Sequence, residues 1–286
     1  PPTLHRLEST YQSPDGTTVP IVVLSTRPLP GSEPRPTILH AYGSFGDARQ
    51  FGFSATVLSW LELGGQYAVA YVRGGGDFGR DWHHQGIRAG KTNTVDDLIA
   101  AADWLVDHGH TTRQQLCLSG SSAGGLLMLA AITRRPDIAH GAIASAPLAD
   151  MVRFEQLGLG VLWRAEFGTA SDPDDLDTLL SYSPYHNVRH GEHYPAVLLT
   201  GFHSDTRADA AHPRKMAAAL QAATASDRPI LLRYEIGLGH GRKPRSRAIA
   251  LAAEVHAFSA AVTGLQPPDG TAPDHPQPQE GGESHE

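Results

Sequence analysis

One short segment of the sequence has the residue types and spacing of a nucleophile site. The letters GSSAG place Gly120, Ser122 and Gly124 in a GxSxG pattern between two apolar stretches. A sharp turn from a strand into a helix leaves no room for side chains beside a nucleophile, which explains the two glycines. The pattern predicts that Ser122 is held out for attack. Ser121 is the weaker alternative, because Ser119 rather than glycine stands two residues before it.

Two later segments could supply the groups that a serine nucleophile needs. A serine hydroxyl requires a general base, and the base requires an orienting carboxylate. The chain offers Asp205 in LLTGFHSDTRADAAH and His240 in YEIGLGHGRKP, each just after an apolar run. Parallel strands bring their carboxyl ends to one edge of a sheet, so both should lie near Ser122. Asp209 is the alternative acid, and the glycines on both sides of His240 indicate an exposed loop.

Short apolar runs alternate with helical patterns along most of the chain. Runs bounded by turn residues predict buried strands at 19–25, 37–43, 67–73, 115–120, 141–147, 196–201 and 230–235. Patterns between them predict helices at 95–109, 124–136, 212–224 and 248–262. Strands separated by helices predict an α/β fold with a mostly parallel central sheet and helices on both faces.

Length and composition favour one compact domain. The 286 residues are 40% hydrophobic, and α/β domains of about 200–250 residues fold as one unit. We assign residues 1–265 to this domain, and predict that residues 266–286, rich in Pro, Gly and acidic side chains, form a disordered tail. The single Cys117 excludes an internal disulfide and should be a small buried apolar residue.

Charge and hydropathy restrict the partners. The net charge of -7 and the lack of a Lys/Arg run argue against nucleic acid or an anionic membrane surface. No apolar run approaches the roughly 20 residues that a membrane span needs, and the first residues lack a signal-peptide core. We therefore expect a soluble protein in the cytoplasm. Secretion stays open as an alternative, because the first residue is not Met.

One segment resembles a cofactor-binding motif, and the many histidines raise the question of a metal site. The segment GGGDFG at residues 74–79 fits the dinucleotide fingerprint GxGxxG, but the following RDWHHQG lacks the apolar helical face that such a unit requires. The 16 histidines include no HExxH, and His83 and His84, adjacent in sequence, need not face one site. We expect neither a cofactor nor a catalytic metal.

Seven motifs lie between residues 41 and 241, within a longer resemblance to one known family that spans about residues 8–262. In chain order they read AYGSFG, YVRGGGDFGRDWHHQG, SGSSAGGLL, YSPYHNV, YPAVLLTG, DTR and GHG. Together they resemble the catalytic domain of prolyl oligopeptidases. The resemblance implies an α/β-hydrolase fold and a serine peptidase that cleaves after proline, with Ser122 as nucleophile, Asp205 as acid and His240 as base. It also implies that the Tyr42 hydroxyl and the backbone N–H of Ala123 form the oxyanion hole.

The same resemblance implies a substrate pocket. Trp163 matches the family tryptophan that stacks on the substrate proline ring, a residue without a side-chain donor. Arg207 matches the arginine that binds a backbone carbonyl upstream of that proline. The other walls of the pocket correspond to Phe45, Leu148, Phe167 and Ala208.

The sequence departs from the family pattern at three positions and in one architectural feature. Ala123 stands where the family usually has Asn, Phe167 replaces the usual Tyr, and the segment DTRADAAH lacks the Val and Pro that usually follow the Arg. No blade-like repeat indicates the β-propeller that usually covers the site. Either the chain is a fragment of a protein with a propeller upstream, or it is a separate hydrolase with an open site.

Two other functions stay open at the level of sequence. An acyl-peptide hydrolase or esterase could use the same three residues. A catalytically silent binding domain would result if the loop that carries Asp205 were displaced. We expect a peptidase that acts on peptide substrates and cleaves after proline, and we keep the esterase and the silent binding domain as alternatives.

Overall fold

The computed structural model describes residues 2–48, 52–241 and 243–266, and its centre is a single mixed sheet of eight strands. The strands are β1 (His5–Gln12), β2 (Thr18–Ser25), β3 (Thr37–His40), β4 (Gln66–Ala70), β5 (Leu116–Ser121), β6 (Gly141–Ser145), β7 (Ala196–Phe202) and β8 (Ile230–Glu235). Their order is β1-β2-β4-β3-β5-β6-β7-β8. β2 pairs antiparallel with β1 and β4, and all pairs from β4 to β8 are parallel. The predicted α/β class with a mostly parallel sheet is confirmed.

Helices cover both faces of the sheet. They are α1 (Ala55–Glu62), α2 (Arg80–His84), α3 (Lys91–Asp107), α4 (Ala123–Arg134), α5 (Arg164–Phe167), α6 (Pro173–Tyr182), α7 (Ala211–Ala223) and α8 (Arg245–Thr263). The tail predicted at residues 266–286 lies outside the described residues, apart from Gln266. No helix of the described ranges is long and apolar enough to cross a membrane.

Two apolar clusters, one on each face, hold the helices on the sheet. One contains α3, α4 and α7, and the other contains α1 and α8. β5 shows how the two-residue period of a strand divides them, because Leu116 and Leu118 join the first cluster and Cys117 joins the second. Cys117 is fully buried, and burial raises the pKa of its thiol to about 12. The prediction that it is a small buried residue is confirmed.

Several predicted strands end early in the structure. The runs 37–43, 67–73 and 141–147 extend beyond the observed ends of β3, β4 and β6. The backbone leaves the sheet there through left-handed residues, which include Gly43, Gly74 and Ala146. An apolar run alone does not reveal this turn. These loops lie at the carboxyl edge of the sheet, where the site residues were expected.

Five elements were not predicted: β1, α1, α6 and the short helices α2 and α5. β1 is an edge strand whose side chains alternate between half-buried and exposed, so it has few apolar residues to reveal it. Helix α1 begins where the Ser54 side chain accepts a hydrogen bond from the N–H of Val57. Helix α6 begins at Pro173, and the Asp172 carboxylate accepts from the N–H groups of residues 174 and 175. Both helix starts carry ordinary capping signals.

The glycine-rich segment at residues 74–79 packs backbone against backbone. A Cβ at Gly74 would lie 2.3 Å from the carbonyl oxygen of Gly43, and one at Gly76 would lie 2.0 Å from that of Gly46. The helix that follows, α2, has only five residues. These glycines therefore let two loops approach closely, which accounts for them without a bound nucleotide.

Candidate active site

Ser122 occupies a strained turn between β5 and α4. Its backbone has φ 55° and ψ −120°, a left-handed conformation that is costly for a residue with a side chain. A Cβ at Gly120 would lie 2.3 Å from the carbonyl oxygen of Gly124, so the turn closes only over glycine. The N–H of Ser122 donates to the carbonyl of Ser145, at 2.8 Å, at the end of the neighbouring strand β6. The turn thus has the geometry expected from the GxSxG pattern.

Asp205 and His240 meet at the same edge of the sheet. Asp205 follows β7, His240 follows β8, and the N–H of Ser204 donates to the carbonyl of Leu238, which ties the two loops together. Nδ1 of His240 lies 2.7 Å from Oδ2 of Asp205, a buried carboxylate. A carboxylate only accepts, so Nδ1 donates and Nε2 is left as a proton acceptor. That is the tautomer a general base needs.

Asp209, the alternative acid, binds the start of a helix instead of His240. Oδ1 of Asp209 accepts from the N–H of Ala211 at the start of α7, at 2.7 Å. The structure therefore pairs His240 with Asp205 and uses Asp209 at a helix start. Within the described ranges Ser122 has no hydrogen bond to His240, and such contacts often form only in the substrate complex.

Tyr42 and the start of α4 flank the Ser122 turn. Tyr42 follows β3 and is half-buried, and a Cβ at Gly124 would lie 3.3 Å from the Cδ2 atom of its ring. Ala123 is the first residue of α4, where backbone N–H groups have no partner inside the helix. The two donors expected for an oxyanion hole thus border the same turn.

The side chains expected to wall the substrate pocket pack together beside this turn. Phe45, held at φ 61°, contacts Trp163 at 6.0 Å and Phe167 at 5.5 Å between ring centroids, both edge to face. Leu148, Ala208 and Phe167 belong to one buried cluster, and Trp163 packs against it. The structure thus brings together all five expected apolar walls.

Arg207 is placed by its backbone. Its N–H and that of Ala208 donate to Oδ1 of Asp205, at 2.9 and 3.0 Å, and its carbonyl accepts from Leu159. Its side chain is exposed, and no carboxylate of the described ranges pairs with it. A guanidinium at this position is open to a carbonyl acceptor from a ligand.

A buried ionic cluster, which the sequence did not suggest, lies behind the pocket. We call Lys91, Glu166 and His83 the Lys91 cluster. Nζ of Lys91 donates to Oε1 of Glu166 at 2.7 Å, to Oγ of Ser44 at 2.9 Å and to the carbonyl of Gly43 at 3.1 Å. Nε2 of His83 lies 2.8 Å from Oε2 of Glu166. Burial lowers the pKa of Lys91, and the charge of Glu166 opposes this shift.

A second buried network supports the wall formed by Leu148. The carboxylate of Asp150, fully buried, pairs with Lys215 of α7. Nδ1 of His212 accepts from the backbone N–H groups of Ala149 and Asp150, each at 3.2 Å. Burial lowers the pKa of His212 to about 4. No signal in the sequence marked these residues, because their partners are about 60 or more residues away in the chain.

Among the described residues, no three or more His, Cys, Asp or Glu side chains stand close enough together for a metal ion. His83 and His84 are neighbouring rings on α2, and His83 contacts Glu166. His83 therefore enters a structural contact here.

Comparison with known proteins agrees with the geometry. The chain is 37% identical over 258 residues to a prolyl endopeptidase of Elizabethkingia meningoseptica, covering 90% of this chain and 37% of that protein. It is 40% identical over 232 residues to the prolyl endopeptidase of Elizabethkingia miricola, covering 81% of this chain and 33% of that protein. The chain therefore spans about a third of the length of these relatives.

Solved structures match the fold over nearly the whole chain. A structure from a structural and mechanistic analysis of two prolyl endopeptidases matches with a TM-score of 0.89 at 39% identity, covering 92% of this chain and 39% of that one. Prolyl oligopeptidase B from Galerina marginata matches with a TM-score of 0.89 at 32% identity, covering 92% and 38%. The fold is therefore that of the α/β-hydrolases.

The sequence model of the prolyl oligopeptidase family matches residues 51–266, which span β4 to β8 and every candidate site residue except Tyr42 and Phe45. Because the match covers most of the chain, the chain belongs to the prolyl oligopeptidase family.

Proposed function

We propose that this chain carries a serine peptidase site that cleaves peptide bonds on the carboxyl side of proline. The observation that carries the proposal is the 2.7 Å contact between His240 and Asp205 at the sheet edge where the Ser122 turn lies. A silent domain would not need a buried carboxylate to fix the tautomer of a histidine there. Family membership and the prolyl endopeptidase relatives support the same activity.

The proposed reaction proceeds through an acyl-enzyme. The Ser122 oxygen attacks the carbonyl carbon of the proline, and its proton passes to Nε2 of His240. The carbonyl oxygen becomes an oxyanion bound by the Tyr42 hydroxyl and the N–H of Ala123; loss of one such donor costs about 3 kcal/mol. The C–N bond then breaks as His240 returns the proton to the leaving amine. Water, activated by the same histidine, attacks the ester and releases the acid and the serine.

The pocket suits a proline ring. Proline has no side-chain donor or acceptor and offers a flat apolar face, which aromatic walls bury well. Phe45 contacts both Trp163 and Phe167 edge to face, and we place the proline ring against the half-buried indole of Trp163. Phe167 contributes no hydroxyl to this wall. We assign Arg207 to a backbone carbonyl of the peptide upstream of the proline.

We further propose that a propeller domain covers this site in the complete protein. The chain matches only about a third of each relative's length. Beside Trp163, the large apolar side chains of Leu159, Val161 and Leu162 are exposed, the last at 70%. Adjacent exposed apolar residues mark a surface that meets another protein or a ligand.

Two substrates and one covalent probe test the proposed function. A fluorophosphonate should label the wild-type chain at Ser122, as seen by mass spectrometry of the labelled peptide. The chain should then hydrolyse a chromogenic Gly-Pro amide faster than the matching Gly-Ala amide. Labelling without amide cleavage, together with hydrolysis of a short acyl ester, would instead favour the esterase. Absence of labelling in a folded sample would favour the silent domain.

A further inference from the structure

The Lys91 cluster joins the two sides of the candidate site. On one side Lys91 binds the loop that begins with Tyr42, through the carbonyl of Gly43 and the hydroxyl of Ser44. On the other side it binds Glu166 of α5, the residue before Phe167. Lys91 is 48 residues from Gly43 and 75 residues from Glu166 in the sequence. One ammonium group therefore bridges a loop and a helix that are far apart in the chain.

The third member of the cluster contacts the same loop farther along. The ring of His83 lies against Gly46, since a Cβ there would be 3.5 Å from the ring. His83 also binds the second oxygen of Glu166, at 2.8 Å. Phe45 therefore stands between two residues that the cluster holds, Ser44 and Gly46. Its left-handed backbone, with φ 61°, needs such support to persist.

The placement of Lys91 is unfavourable in itself. It is the first residue of α3, where the helix dipole disfavours a cation, and its side chain is 4% exposed. Glu166 is equally buried. A buried ion pair contributes little to stability compared with well-packed apolar residues, so stability alone does not explain this pair. What the pair adds is a fixed geometry between the loop and α5.

We propose that the Lys91 cluster positions Phe45 against Trp163 and Phe167 and thereby sets the selectivity of the pocket for proline. Its members are positioning residues that act through the three rings. Nζ of Lys91 also lies 5.4 Å from the centre of the Phe167 ring, so it contacts the pocket wall directly. The inference rests on the proposed function for its substrate and on the geometry of the cluster for its mechanism.

The main test replaces both charges by apolar side chains of similar size. Lys91→Met combined with Glu166→Leu removes the bonds to the loop without leaving a buried charge unpaired, so the fold should persist. Per active site titrated with fluorophosphonate, kcat/KM for a Gly-Pro amide should fall roughly tenfold, mainly through a higher KM. Hydrolysis of a short acyl ester should change much less, because Tyr42 still packs against Gly124.

A matched control removes an ion pair from the same helix. Arg164 of α5 pairs with Glu155 and does not contact the loop. Arg164→Gln should leave the ratio of amide to ester hydrolysis unchanged. A purely structural role of the Lys91 cluster would lower the number of active sites or the melting temperature, but not this ratio. An unchanged ratio in the folded double variant would overturn the proposal.

Hydrogen exchange tests the geometry without any substrate. The N–H of Gly46 donates to the carbonyl of Gly74 at 3.1 Å, so its protection reports whether the loop is held. It should exchange at least several-fold faster in the double variant than in Arg164→Gln, whereas the N–H of Ser122 should not change. Equal exchange of Gly46 would also overturn the proposal, even if the chain failed to cleave after proline.

A single substitution keeps the test decisive if the double variant does not fold. Glu166→Gln preserves the shape and leaves an amide oxygen for Lys91, but removes the charge. It should move the amide-to-ester ratio and the Gly46 exchange in the same directions, by a smaller factor. No movement in either measurement would contradict the positioning role. Failure of the wild-type chain to cleave the Gly-Pro amide would count against the proposed function alone.

Discussion

Asp205 binds His240 through one carboxylate oxygen and its own loop through the other. Oδ2 lies 2.7 Å from Nδ1 of His240, while Oδ1 accepts the N–H groups of Arg207 and Ala208. The two backbone bonds prevent rotation of the carboxylate. The imidazole therefore has one favoured orientation, with Nε2 directed away from the acid.

Asp205→Asn should lower kcat by about 10⁴, because an amide in this place stabilises the wrong tautomer of the histidine. Steady-state hydrolysis of a Gly-Pro amide measures the effect. Asp209→Asn is the matched control, since asparagine caps a helix as well as aspartate and Asp209 contacts only the start of α7 among the described residues. A larger loss in the Asp209 variant would contradict the assignment of the acid.

The left-handed backbone of Ser122 allows its structural cost to be measured apart from its chemistry. Ser122→Ala and Ser122→Gly should both abolish fluorophosphonate labelling, because neither side chain has a hydroxyl. The glycine variant should be more stable than the alanine variant by about 1 kcal/mol, since glycine adopts φ 55° without strain. Urea unfolding of the two variants gives the difference. Equal stability would mean that the turn is not strained.

Local patterns predicted the parts of the site that depend on neighbouring residues. The strand, the glycines and the helix around Ser122 are consecutive in sequence, and the acid and base each follow a strand. The Lys91 cluster was not predicted, because Lys91 and Glu166 are 75 residues apart and each looks like an ordinary surface residue. Burial of such a pair is decided by tertiary packing, which a single sequence does not display.

The pocket was predicted only through the family resemblance. Phe45 lies in a turn, and nothing in AYGSFG shows that its ring meets Trp163. The left-handed conformations of Phe45 and Ala146 likewise have no signal in the sequence, because neither is a residue that favours φ > 0. These are the positions where the loops leave the sheet and build the site. Local preference fails there because long-range contacts override it.

Trp163→Ala should reduce kcat/KM for a Gly-Pro amide. The loss of transition-state stabilisation should equal roughly 0.5–1.5 kcal/mol from ring stacking plus the contribution of the lost apolar burial. Short acyl esters, which do not fill the pocket, should be affected less. Leu162→Ala is the matched control. Leu162 is next to Trp163 in the sequence, but its side chain is 70% exposed and lies outside the cluster that contains Phe167. Equal losses for amide and ester in the Trp163 variant would remove this residue as the reader of proline.

When the 286 residues are assayed without the proposed propeller, the site should be open to long substrates. A long polypeptide that contains proline should then be cut at a rate comparable to that of a short peptide. Mass spectrometry of both digests gives the rates. Refusal of the long substrate would show that something else in this chain, or a partner, closes the site.

His212 should make the fold sensitive to acid. Burial depresses its pKa from 6.5 to about 4, so between these values the unfolded chain binds the proton and the native chain does not. Its contribution to stability is complete above pH 6.5 and is lost as the pH falls, by about 2 kcal/mol at pH 5 and about 3 kcal/mol at pH 4. Urea unfolding at pH 7 and pH 5 measures this loss. His212→Gln should show a shallower dependence on pH, whereas His203→Gln, at an exposed position, should follow the wild type. The same slope in all three proteins would mean that His212 accepts the proton without cost.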